Sequence, residues 1–403
     1  MKSSYHKLIF IIYILLLALS NNIHAQQINR GENLIDVLVV GNAVDGTVDF
    51  IDVESLTVRG TINVTPDLWW RILTMPINGL GWGFNLLREG GQRVLDDVVV
   101  TKDGRTLIAS RGWMGDVVAF DLSDPHTPMI WRYDLPGLRA DHMDISPDGS
   151  QIVVSDTLRD RAHILNPFTG EKIGHFNTGS YAHGNDFSHD GKYIYNGSIG
   201  SILLSYFFNI FKGDRQLTIA NAHTFEIEKV ISFDWGLRPS AFTYDNSKMY
   251  AQLSYQRGFA EVDLVSGEIL STYHLPASEY GLQNYRRFDD YPNNSAHHGL
   301  ALSGDETKLC LAGTIDHYIA IVNLETRQTE NIINGTELPY WASLGHRGKR
   351  CYISNSEGNS ISVINFETAE EIARIQVGQF PQRSRAVQVQ SGVLSTQFNW
   401  RTD

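Results

Sequence analysis

From Leu34 onward the chain alternates short apolar runs with polar turns, and the period is two rather than 3.6, which predicts a succession of short β-strands. The pattern repeats. One half of the repeat reads "VVVTKDGRTLIAS", "MDISPDGSQIVVS", "NDFSHDGKYIYNG", "AFTYDNSKMYAQL", "LALSGDETKLCLA" and "ASLGHRGKRCYIS". Each is a strand, a polar turn usually built on Asp-Gly, and a second strand, the signature of a β-hairpin. The other half reads "VDFIDVESL", "VVAFDLSDP", "AHILNPFTG", "LTIANAHTF", "FAEVDLVSG", "IAIVNLETR" and "ISVINFETA", where a strand ends in Asp or Asn before a short loop. Seven copies of the second half face six of the first.

The missing first strand is supplied by "SRAVQVQ" near the C-terminus, beside the first blade. Four-stranded antiparallel units arranged about an axis and closed in this way describe an all-β, seven-bladed β-propeller. Two β-sandwiches or an open solenoid leave unexplained why the chain starts mid-repeat and ends on the missing strand. The pieces "SPDGSQIVVSD", "GNSISVINFETAEEIARIQVG" and "VVAFDLSDP" resemble bacterial YVTN-type repeats. Nearly all of the mature chain resembles lactonase-like or cytochrome-d1-like seven-bladed propellers. That resemblance implies a fold and is almost silent on function, because such propellers include hydrolases, lyases, oxidoreductase domains and binding modules.

Composition changes the picture in three places. Residues 1–25 place two lysines before an apolar run from Leu8 to Leu19 and end in "IHA", which reads as a signal peptide, with residues 26–403 exported to the periplasm or secreted as one domain. A formal net charge of -12 leaves no basic surplus for nucleic acid, yet local positive charge can still hold an anionic small molecule. Export permits a bond between the two cysteines, Cys310 and Cys351. They stand at matching places in neighbouring repeats, however, which points their side chains the same way and disfavours pairing.

Counting seven residues back from each turn Asp reaches the start of each innermost strand, at one mouth of the central channel. The positions are Asp96, Asp141, His183, Arg238, His298 and Tyr340, the last with Arg347 in the turn, plus Arg383 or Arg385 on the closing strand. One step away lie Asp97, His142, His297 and Trp341. Polar side chains at a hydrated mouth can serve only to bond water and neighbouring strands. A ring filled mostly with ionisable groups points instead to a ligand site.

Three chemistries fit this ring. Arg238 pairing with a carboxylate, with His183, His298 and Tyr340 moving protons, suits β-elimination on a uronate-type sugar; His142, His297, Trp341, Asp96, Asp141 and Arg383 would help bind it. Asp96, Asp97 and Asp141 holding a divalent metal through hard oxygens suits lactone hydrolysis. His142, His183, His297 and His298 suit zinc, iron or manganese. No CxxCH, G-x-S-x-G, P-loop or HExxH motif occurs.

Three inserts interrupt the repeat, at 66–92, 201–215 and 275–296. The first two are unusually apolar, carrying Trp69, Trp70, Trp82, Phe84, Phe207, Phe208 and Phe211. They read as elements packed on each other or on a blade, as a shared lid over the mouth, or as a patch touching a membrane or protein partner. The third leads directly into the paired histidines. The leading expectation is therefore a monomeric lyase-like propeller acting on a saccharide or other small anion; the rival is a non-catalytic binding module.

Overall fold

The computed structural model of the chain describes residues 34–75, 80, 83, 93–124, 126–345 and 347–395. The expected leader at 1–25 and most of the first insert, including Trp82 and Phe84, lie outside these. Twenty-eight strands form seven antiparallel four-stranded sheets. Six sheets take four consecutive strands each; the seventh joins β28 (Pro381–Gln390) to β1 (Leu34–Asn42), β2 (Thr47–Asp52) and β3 (Thr57–Asn63). The C-terminal segment therefore closes the ring, in a register that sets Leu34 opposite Gln390 and Leu38 opposite Ala386.

The repeat owes its turns to two side-chain devices. In five blades a hydroxyl donates to the turn Asp two residues later: Thr101 to Asp103, Ser146 to Asp148, Ser188 to Asp190, Thr243 to Asp245 and Ser303 to Asp305, at 2.6–2.8 Å. The Asp in turn accepts a backbone N–H two residues on, as from Arg105 and Ser150. At the end of each third strand, Asp or Asn does the same, as Asp52 does for Glu54 and Asn323 for Glu325. These bonds satisfy the turn backbone locally. The alternating apolar residues between them pack blade against blade, for example Val37, Phe50, Val98 and Leu107 between the first two.

Cys310 and Cys351 are disulfide-bonded, with Cα atoms 6.4 Å apart, contrary to the expectation from their apparent alignment. β21 (Lys308–Gly313) opens opposite Asn323, and β25 (Arg350–Asn355) opens opposite Asn365. Cys310 is thus the third residue of its strand and Cys351 the second. Successive strand residues point to opposite faces, so this one-residue offset turns the two thiols toward each other between blades six and seven.

All three inserts leave the propeller at the end where the innermost strands begin, because they follow either the second or the fourth strand of a blade. The first and second do not form a shared lid among the described residues. Leu68–Thr74 is a helix tied to blade two: Arg71 donates to the Met114 carbonyl and pairs with Asp134, and buried Arg111 is forked onto Asp67 and Asp116. The second insert packs on the third instead, where Tyr206 stacks near Trp235, Tyr255 and Phe288 and its N–H donates to Asp289. No helix among the described residues is long and apolar enough to cross a membrane.

Candidate functional site

The innermost strands β4 (Asp97–Val100), β8 (Ala140–Ile145), β12 (Ala182–Phe187), β16 (Leu237–Phe242), β20 (Leu300–Leu302), β24 (Pro339–Leu344) and β28 bring the ring positions to one mouth. Their entries are irregular: pairing shifts register between Ala140 and Met143, Ala182 and Gly184, Leu237 and Ser240, and Pro339 and Trp341. A shift of this kind re-aims side chains that strict alternation would send to opposite faces. It brings both Asp141 and His142 into the cluster.

Asp141 is the hub. It accepts from Arg139 Nη1 at 2.8 Å, Thr157 Oγ1 at 3.0 Å and His183 Nδ1 at 3.0 Å. Burial alone would raise its pKa, but Arg139, then the donating His183, outweigh it and hold the carboxyl well below the usual range. His183 thus donates Nδ1–H to an anion, leaving its Nε2 lone pair bare. His298 donates Nδ1–H to the Tyr340 carbonyl at 2.9 Å, so its Nε2 is bare as well. His142 lies 3.6 Å from Asp141 and 3.9 Å from Asp97, without a hydrogen bond at either nitrogen. Burial lowers the pKa of all three imidazoles, most strongly at His142 and His298, where Arg383 and Arg238 respectively add to the effect. The rings are therefore neutral and able to ligate.

They are also close. The His142 and His183 ring centres lie 4.3 Å apart, those of His183 and His298 5.9 Å apart, and His298 stacks on Tyr340 at 4.1 Å. Ligand atoms of Asp141, His142 and His183 all lie within 4.8 Å of one another. His183 Nε2, His298 Nε2, both His142 nitrogens and Asp141 Oδ1 are buried with no hydrogen-bond partner.

Other expected members serve differently. Asp97 accepts the N–H groups of Val98 and Met143 and pairs with Arg383 and Arg385; Asp96 pairs with Arg139. Burial, outweighing Arg139, pushes Asp96 up to about 7. Asp96 and Asp97 are thus spent on arginines and backbone while Asp141 keeps Oδ1 without a partner, and the three carboxylates are not gathered for a metal. His297 is turned away from the mouth: Nδ1 accepts from the Gly258 N–H and Nε2 donates to Asp316, each at 3.0 Å. It is a support, not a ligand.

Arg238 is buried and already committed, donating to Ser254 Oγ and to the Asn293 carbonyl. Asn293 also donates from Nδ2 to the Tyr340 hydroxyl at 3.2 Å, so the third insert roofs the mouth. Trp341 lies beneath the imidazoles with the Arg383 guanidinium 3.6 Å over its ring. Sequence reasoning missed Arg139, Thr157 and Asn293. Arg139 stands two residues before Asp141 in "RADHMD", a signal that register counting passes over; Asn293 lies in a loop with no repeat partner.

No protein-family model matches the chain, and no curated protein sequence matches it. Among solved structures it is similar to a chain of Kuenenia stuttgartiensis hydrazine synthase, at 17% identity and a TM-score of 0.61, covering 82% of this chain and 92% of that one. Identity at this level shows the propeller fold alone. It supports the architectural half of the resemblance to YVTN-type and lactonase-like propellers and does not reach the family.

Proposed function

We propose that this is an exported propeller whose channel mouth holds a divalent transition metal and transforms a carboxylate-bearing small molecule of the uronate class by β-elimination. The observation that carries the reading is the set of bare nitrogens on His142, His183 and His298 in a buried pocket. At His183 and His298 the other N–H is fixed by a carboxylate or a carbonyl, the arrangement that orients metal ligands. A bound ion would supply a Lewis acid toward a substrate carboxylate, a task for which Arg238, engaged by Ser254 and Asn293, is not free.

Asp141 orients His183 and offers Oδ1 to the same space. Tyr340, stacked on His298 and accepting from Asn293, would act as its phenolate: it would take the proton next to the carboxylate as the double bond forms and return it to the leaving oxygen as that bond breaks. The test is to incubate metal-loaded protein with uronate oligosaccharides and follow absorbance of the unsaturated product. The reading expects turnover that Tyr340→Phe abolishes; binding without product under every metal overturns the elimination.

One observation favours a second reading, a module that docks a partner. Around the mouth Trp69, Trp70, Leu73, Phe207, Ile210 and Phe211 are all exposed.

A further inference from the structure

Below the mouth, the innermost strands enclose an axial cavity of about 440 Å³, bounded above by Trp341, Arg238 and Arg383 and reaching Lys102 and His189 at the far end. A volume of this order accommodates a drug-sized molecule. Its walls are apolar along Val99, Ile145, Phe187, Leu302, Leu344 and Val387. Its charge balance is the reverse of the protein's. Four cationic side chains (Lys102, Arg238, Arg383 and Arg385) face two acids, Asp144 and Asp186, within a chain of net charge -12.

The cations are not equally available. Arg385 is spent on Asp97, Asp144 and the Met143 carbonyl. Arg238 holds the roof. Arg383 is 4% exposed, pairs with Asp97 through Nη1 at 3.1 Å, and leaves a buried Nε–H with no hydrogen-bond partner. Asp97 has other donors in Val98, Met143 and Arg385, so it does not need Arg383 for its own satisfaction. The Arg383 guanidinium lines the chamber, so an apolar wall ends at a buried cation. Asp186 borders the same chamber. Burial, then Asp144, pushes its carboxyl up to about 8, so near neutral pH it carries a proton and is a donor instead of a repelling charge.

We infer that the axial cavity is a second binding site, separate from the imidazole cluster, for a small organic monocarboxylate with an apolar body. The carboxylate pairs with the Arg383 guanidinium, and the apolar body runs along the inner strands. This assignment does not depend on the mouth being a metal centre.

Gly184 gives the means of testing it. It lies in the cavity wall, and a Cβ built there meets no atom within 4 Å, so a larger side chain projects into open space. The experiment is calorimetric titration of the exported chain with benzoate, benzyl alcohol and benzylamine, matched in shape and differing in charge. Benzoate is expected to bind saturably and at least tenfold more tightly than the alcohol, with no binding of the amine. Gly184→Leu abolishes benzoate binding while leaving the far-ultraviolet circular dichroism unchanged. Arg383→Gln, which adds no bulk, weakens it at least tenfold, and His142→Ala leaves it as it was. Absence of saturable benzoate binding, equal binding of all three probes, or full binding by a folded Gly184→Leu protein overturns the inference. Loss of benzoate in His142→Ala also overturns it, because the anion would then sit among the imidazoles; the mouth reading is judged separately by metal content.

Discussion

The Nδ1–H of His298 donates to the Tyr340 carbonyl and its Nε2 has no hydrogen-bond partner, whereas both nitrogens of His297 are engaged by Gly258 and Asp316. Replacing the two should separate function from stability. His298→Ala is expected to weaken metal binding by about two orders of magnitude or more while costing roughly 1 kcal/mol through the lost stacking on Tyr340. His297→Ala is expected to keep the metal and cost about 1–3 kcal/mol, since it leaves a buried N–H and a buried carboxylate short of a partner. Metal dialysis and urea unfolding on the same samples check both. Asp186 provides a pH signature. Its folded pKa, about 8, lies above the ordinary carboxylate value of 3.8, so the folded chain binds the extra proton and this stabilisation is lost as pH rises through 8. Asp186→Asn should therefore gain stability over the natural chain at pH 9 and show little gain at pH 4. An equal difference at both pH values would contradict a raised Asp186.

Among elements, the repeat made the hairpins readable, because in five blades the turn is satisfied within itself by a Ser or Thr and an Asp two residues on. Counting back from that Asp, or from Arg347 in the seventh blade, put Asp141, His183, His298 and Tyr340 at one mouth. The same counting could not show that β8 shifts register at its entry, which is what adds His142 beside Asp141. Nor could it show that Asn293, in an insert with no counterpart, closes over Arg238. Likewise, two cysteines that look aligned differ by one strand position, and one position in a strand reverses the face. The resulting disulfide spans a sequence separation of 41. A Cys310→Ser, Cys351→Ser double variant is expected to lose about 3–4 kcal/mol by the chain-entropy relation, read from guanidinium unfolding of oxidised and substituted proteins.

For the whole molecule, β28 both closes the ring and carries Arg383 and Arg385 into the channel. It links stability to the site. A chain ending before Pro381 leaves the inner edge of β1 unpaired and Asp97 without its arginines. Such a chain should show no cooperative thermal transition by circular dichroism, and an unchanged transition would mean that closure is dispensable. The central claim is that the imidazoles of three blades converge to hold a metal. Its most direct measurement is elemental analysis after dialysis against zinc, manganese and iron(II), for the natural chain and for a folded His142→Ala, His183→Ala, His298→Ala variant. The account predicts about one tightly held ion per natural chain and none in the variant. Equal metal content in the two proteins, or none in either, would contradict it.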